Sequence, residues 1–235
     1  MPNIKNIKLI TLAAAISAGL AMPVCAEDKS GVNATEMAGG DGGAVAQLSM
    51  AQDLYRYGVA NGDALAVLAA ARITGAVDAE DVEREVETMP TEGVEITEEG
   101  EGTDSPATAE MMYEKALELA GGDPAITGLI EDAMAEGARG RIGGASRTLS
   151  RLRAGHTDIF REGFYGGRLA EIAILGDGDA DLDLLVADEN GNTICLDRSY
   201  SDRLYCSFTP AWTGNFTIIV KNMGRIRNSY YILTN

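Results

Sequence analysis

Apolar residues recur every three or four positions through the first half of the chain and alternate with polar ones through the second. Over 45–60, Leu48, Ala51, Tyr55 and Val59 share one helical face, and Asn61-Gly62 stops the run. Asp63 caps a second helix carrying Leu65, Leu68 and Ile73. Ser105-Pro106 supplies a cap and a first-turn proline for a third, whose stripe is Met112, Ala116 and Leu119. Gly121-Gly122 breaks it, and Asp123-Pro124 opens a fourth through Ile126, Ile130 and Met134. The breaks at 60–63 and 120–123 are alike, which fits either two helical hairpins in a small four-helix unit or plain helix punctuation.

Beyond residue 145 the pattern turns to short runs of Ile, Val, Tyr, Phe and Thr between Gly, Asn and Asp turns. Strands are predicted at 148–153, 158–164, 169–175, 182–187, 193–196, 204–208, 216–221 and 229–233. Asn190-Gly191 marks a hairpin between two of them. The fold class that follows is α+β with segregated elements, helical hairpins first and an antiparallel, jelly-roll-like β-sandwich after.

Around these elements, residues 1–26 read as a signal peptide, with Lys5 and Lys8 before an apolar stretch and Pro23-Val24-Cys25-Ala26 before the cleavage point. The small, polar residues 27–44 read as a flexible tether and 45–138 as the helical region. Inside that region, residues 78–104 hold twelve acids and one base, Arg84, and are expected to form a mobile acidic linker. A junction at 139–147, carrying Arg139, Arg141 and Arg147 in a basic stretch that runs on to Arg151 and Arg153, leads into the sandwich at 148–235.

The net charge of −17 repels phosphate backbones and argues against nucleic-acid binding. Removal of the signal leaves no segment apolar enough to span a membrane, so a periplasmic or secreted location is expected. It also removes Cys25, leaving Cys195 and Cys206. In an oxidising compartment an even pair is expected to form a disulfide, across strands flanking the turn at 197–203; the alternative is two buried thiols.

Several residues in the β half carry a resemblance. Asp179-Ala180-Asp181-Leu182-Asp183-Leu184 precedes Asp188-Glu189-Asn190-Gly191. Phe208-Thr209-Pro210, then Thr213-Gly214-Asn215-Phe216-Thr217-Ile218, and finally Tyr230 and Leu233 follow in order. This succession, within about 149–235, resembles the bacterial pre-peptidase C-terminal domain, a secreted β-sandwich appended to exported proteases and other enzymes. The resemblance implies an accessory role in surface attachment, secretion or folding. No peptidase domain precedes it in this sequence, and the helical half resembles no family.

Candidate chemistry is sparse. His156 is the only histidine and is expected in a turn; no G-x-S-x-G elbow or phosphate loop accompanies it. Asn33-Ala34-Thr35 and Asn215-Phe216-Thr217 fit the glycosylation pattern. A possible Ca²⁺ site is built from Asp177, Asp179 and Asp181, with Asp188 or Asn190 from the next turn. It requires the chain to curl at Gly176 and Gly178, since a straight strand spaces alternate carboxylates about 6.6 Å apart. The alternative is a set of solvent-facing aspartates. The expected function is that of an exported, non-catalytic protein whose sandwich binds an envelope or secreted protein or a cell-surface component. The competing expectation is a secreted hydrolase or protease-associated enzyme with its site in the helical half.

Overall fold

Gly62, in the left-handed conformation at φ 65°, ends helix α1 (Ala44–Asn61), and Asp63 accepts hydrogen bonds from the Leu65 and Ala66 amides to start α2 (Ala64–Ala76). The second break is built alike. Gly121 ends α3 (Ala109–Ala120), and Asp123 accepts from the Ala125 and Ile126 amides at the start of α4 (Pro124–Glu136). The helix start expected at Ser105-Pro106 moves to Thr108, whose hydroxyl accepts from the Met111 amide. The reason is tertiary: Gln52 Nε2 takes the Ala107 carbonyl at 2.8 Å and keeps that stretch extended against α1. Val67, Leu68, Ala71, Met112, Ala116 and Ile130 form the helical core. Met134, expected inside, is exposed, and Ala133 is buried in its place.

The computed structural model describes residues 29–35, 42–94, 100, 102–103, 105–136, 142–178 and 180–235. Among the described residues ten strands make two five-stranded sheets. They are β1 (Val77–Asp81), β2 (Glu87–Pro90), β3 (Ile142–Leu152), β4 (His156–Phe164) and β5 (Ala170–Gly176). After these come β6 (Leu182–Ala187), β7 (Thr193–Asp197), β8 (Arg203–Phe208), β9 (Gly214–Asn222) and β10 (Asn228–Thr234). The orders are β1-β3-β10-β5-β8 and β2-β4-β9-β6-β7, so β3 to β10 follow the jelly-roll path. Phe160, Phe164, Phe208, Phe216 and Tyr230 lie between the sheets in the main core.

Two expectations are corrected. The first half of the acidic stretch 78–104 is not a free linker: β1 runs parallel to β3 and β2 antiparallel to β4, each widening one sheet at its edge. The junction is likewise strand from Ile142 onward, because pairing with β1 extends β3 toward its start. Arg139 and Arg141 lie outside the described residues, as do 1–28 with Cys25, and the acidic residues 95, 98, 99, 101 and 104.

Cys195 and Cys206 form a disulfide with Cα atoms 6.1 Å apart. It does not tie neighbouring strands of one hairpin. β7 is the edge of one sheet and β8 the edge of the other, so the bond closes one open side of the sandwich.

α1 lies on the outer face of the first sheet, where Val45 and Leu48 meet Leu175, Ala173 and Leu233. β5 is therefore buried along its whole length. No side chain of α1 caps its own N-terminus; Glu171 of β5 does so from below. Both carboxylate oxygens of this fully buried residue accept from the Gly43 amide, at 2.9 and 3.0 Å, and the Tyr205 hydroxyl donates to it at 2.7 Å. Burial, then the Glu171 contact, pushes the Tyr205 hydroxyl up to about 12. A Cβ at Gly43 would stand 2.3 Å from Glu171 Oε2, so only glycine permits this approach. Glu171→Gln keeps the volume but loses the charge at the helix terminus. It is expected to lower stability by about 1–2 kcal/mol in urea unfolding, whereas an unchanged midpoint would mean the cap contributes nothing.

Candidate functional site

The residues singled out for Ca²⁺ do not converge. Asp177 and Asp181 lie at one end of the sandwich; Asp188 and Asn190 lie at the other, with the six residues of β6 between them, about 20 Å of strand. Asp179 lies outside the described residues. Asp177 accepts from Asn228 Nδ2 at 2.7 Å and from the Ser229 amide at 2.9 Å. Asp181 is held apart, and its Oδ1 is buried without a hydrogen-bond partner; burial raises its carboxyl, and burial followed by the neighbouring Asp181 raises that of Asp183. No cluster of three or more His, Cys, Asp or Glu suited to a metal occurs among the described residues. The four described members of the expected site thus fall into two separate sets at opposite ends of β6 and do not form one site.

Asp188 organises the opposite end. It accepts from the amides of Asn190 (3.0 Å), Asn192 (2.8 Å) and Asn33 (2.8 Å), and from Asn192 Nδ2 at 3.0 Å. Asn190 Nδ2 donates to the Lys29 and Gly31 carbonyls, and Thr35 pairs with Thr209. Residues 29–35, expected to be tether, are therefore docked on the β6–β7 turn. Asn33 is fully buried, with its side chain taken by Glu189 and the Trp212 amide, which closes the first glycosylation pattern in the folded protein. Asn215 of the second lies in β9 and is exposed. His156 opens β4, with Nδ1 3.0 Å from the Ala154 carbonyl oxygen.

Burial pushes the Asp188 carboxyl up, but hydrogen bonds from Asn33, Asn192 and Asn190 outweigh it and hold it below its usual range. In Glu189 burial is likewise outweighed, chiefly by the Trp212 indole. A lowered folded value means stability that is full above the ordinary carboxylate range and lost as pH falls through and below it. Trp212, the only tryptophan, donates to Glu189 at 2.6 Å and reports on this end. Its fluorescence is expected to titrate below about pH 4 as 29–35 comes away; a transition above about pH 5 would contradict the assignment.

An extended concavity among the described residues was not anticipated. After β1 the chain crosses the second open side of the sandwich, and Arg84 turns inward with its side chain only 6% exposed. Its Nε donates to Glu162 Oε1 at 2.6 Å, and Nη1 to Thr148 Oγ1 at 2.8 Å. Nη2 reaches Ser146 Oγ at 2.7 Å and Thr234 Oγ1 at 2.9 Å. β3 and β10 belong to one sheet and β4 to the other, so a single guanidinium ties both. Beside it run three adjoining cavities of about 450, 350 and 470 Å³, all bordered by Asn235. Glu83, Glu85 and Arg161 line the first, Tyr165 and Arg168 the second, and Asp78 and Glu80 the third. Tyr165 is 66% exposed, with the Arg168 guanidinium 5.3 Å from its ring centre. The groove offers donors, acceptors, both charges and one aromatic face. The one sequence signal was Arg84 itself, a lone base in an acidic run.

Comparison with protein-family models finds no match, and no curated protein matches the chain.

Proposed function

We propose that this chain is a non-catalytic binding module of an oxidising, extracytoplasmic compartment, and that the groove beside Asn235 takes a polar component of the cell surface or of another exported protein. The observation that carries this reading is the groove itself, open and mixed in charge, along a sandwich side whose wall is pinned by Arg84. The disulfide supports the compartment, since such bonds persist where thiols are oxidised. The jelly-roll order supports the resemblance to pre-peptidase C-terminal domains, and with it an accessory role. Both described cysteines are joined in the disulfide, so neither offers a thiol nucleophile.

The test is co-sedimentation of the purified protein with washed envelope material, run beside a panel of ester, glycoside and peptide substrates. Wild type is expected to sediment, and Tyr165→Ala with Arg168→Ala to do so about fivefold more weakly, a loss of roughly 1 kcal/mol. Failure of wild type to sediment, or turnover proportional to protein, would overturn the proposal.

A further inference from the structure

Two turns meet at the end of the sandwich where the groove opens. Tyr165, Gly166, Gly167 and Arg168 follow β4, and Trp212 and Thr213 precede β9. The Gly166 amide donates to Thr213 Oγ1 at 3.0 Å, and the Gly167 amide to the Pro210 carbonyl at 2.8 Å. A Cβ on Gly166 would stand 2.7 Å from Trp212 Cα, so only glycine lets the two backbones touch. Tyr165 and Trp212 are thus neighbours with bare backbone between them. Each ring is held by one charged partner. The Arg168 guanidinium lies 5.3 Å from the Tyr165 ring centre, and the Trp212 indole donates to Glu189 Oε1 at 2.6 Å. Both rings still reach solvent, Tyr165 with 66% exposure and Trp212 in part. Fixing an exposed ring costs rotamer freedom in the free protein, so a flat ligand binds without that cost. Exposure alone does not achieve this. Tyr200, at the opposite end, is 94% exposed and has no ring contact among the described residues.

We propose that this end of the sandwich binds a neutral oligosaccharide of pyranose rings with equatorial hydroxyls, stacked on Tyr165 and Trp212. Such a sugar ring has a flat face of C–H groups and a rim of hydroxyls, each both donor and acceptor. The face suits the two aromatic rings. The rim suits their partners: Arg168 makes no side-chain hydrogen bond among the described residues and offers its donors, and the exposed Glu189 carboxylate accepts. The Thr213 hydroxyl, which accepts from Gly166, has its proton free to donate. A lipid surface fits poorly, because the Glu189 carboxylate and a net charge of −17 are repelled by anionic headgroups. A proline-rich peptide fits poorly too, since its backbone has few N–H groups for Glu189. The inference rests on the groove being a binding site, because Tyr165 and Arg168 border it, and adds the class of ligand.

The probes are cellohexaose and chitohexaose, titrated into the full chain by calorimetry while the emission of Trp212, the only tryptophan, is followed. Heat of binding and a change in emission are expected with at least one of them. Affinity is expected to fall about fivefold in Tyr165→Ala, whose exposed side chain can be removed without disturbing the fold. Tyr165→Phe keeps the ring and should bind as wild type does, and so should Tyr200→Ala. Three results would overturn the proposal: no heat with either sugar at millimolar concentration, an equal loss in Tyr165→Phe and Tyr165→Ala, or tighter binding to anionic phospholipid vesicles or a decaproline peptide than to either sugar. Sedimentation of wild type with envelope material but no binding of either sugar would overturn this inference alone and leave the groove's binding role standing. Absence of both would overturn both.

Discussion

Arg84→Met is expected to lower the free energy of unfolding by about 3 kcal/mol, the low end for breaking a buried ion pair. The side chain is almost wholly enclosed and donates to Glu162, Thr148, Ser146 and Thr234. Methionine fills much of the space but leaves the Glu162 carboxylate without its cation and removes one donor from each of three hydroxyls, which keep their bonds to Val82 and to each other. Glu162 keeps a side-chain exposure of 25%, so water relieves part of the loss and places the effect at the low end. Changing Glu162→Gln in the same protein should recover some of it, because the uncompensated charge is then gone. Urea unfolding measures both variants. A loss under about 1 kcal/mol for Arg84→Met would mean the guanidinium decorates the surface rather than tying the sheets.

The opposite side depends on the disulfide. Cys195 and Cys206 are separated by 11 residues, and closing a loop of that length constrains the unfolded chain by about 3 kcal/mol. Cys195→Ala with Cys206→Ala is expected to cost about that much, with a larger denaturant dependence as the unfolded chain expands. Reduction of the wild type should move the transition in the same direction. Because the two ties sit on opposite sides of the sandwich, their effects should add, giving about 6 kcal/mol for the combined variant. That approaches the whole stability of many domains, so the combined variant is expected to be partly unfolded at 25 °C. Equal stability of the cysteine variant and wild type would contradict this account of the edge.

Among the jelly-roll strands, those such as β6 and β9 were legible because one face is buried and the other is not, whereas β5 and β10, buried on both faces, were legible as short apolar runs bounded by turns. Leu182–Ala187 alternates without a break, and Asn190-Gly191 marks the turn that follows. Helix ends were legible where a side chain caps its own helix, as Asp63 and Asp123 do, and shifted at Thr108, where a distant glutamine decides. β2 carries no such pattern. All four of its residues are exposed, so nothing in its composition separates it from a linker. Arg84 was visible as an exception to its surroundings, but its partners lie 62 to 150 positions away and become neighbours only when both sheets form. The acidic positions 177–190 failed in the other direction. Closeness along the chain suggested a shared ion, while a straight β6 holds the two groups at opposite ends.

The groove, its wall and the tie across the open side all rest on residues 77–90 belonging to the sandwich. Native-state hydrogen exchange of the full chain tests this most directly. The Val82 amide donates to the Arg147 carbonyl at 2.9 Å, and β2 pairs with β4 from Glu87 to Pro90. Amides bonded in these pairings are expected to exchange at least about a hundredfold more slowly than an unstructured chain, as about 3 kcal/mol of local stability requires. Arg84→Met should abolish that protection while leaving β9 and β10 protected. Exchange of residues 77–90 at the unstructured rate in wild type would contradict the account and return this stretch to a free acidic linker.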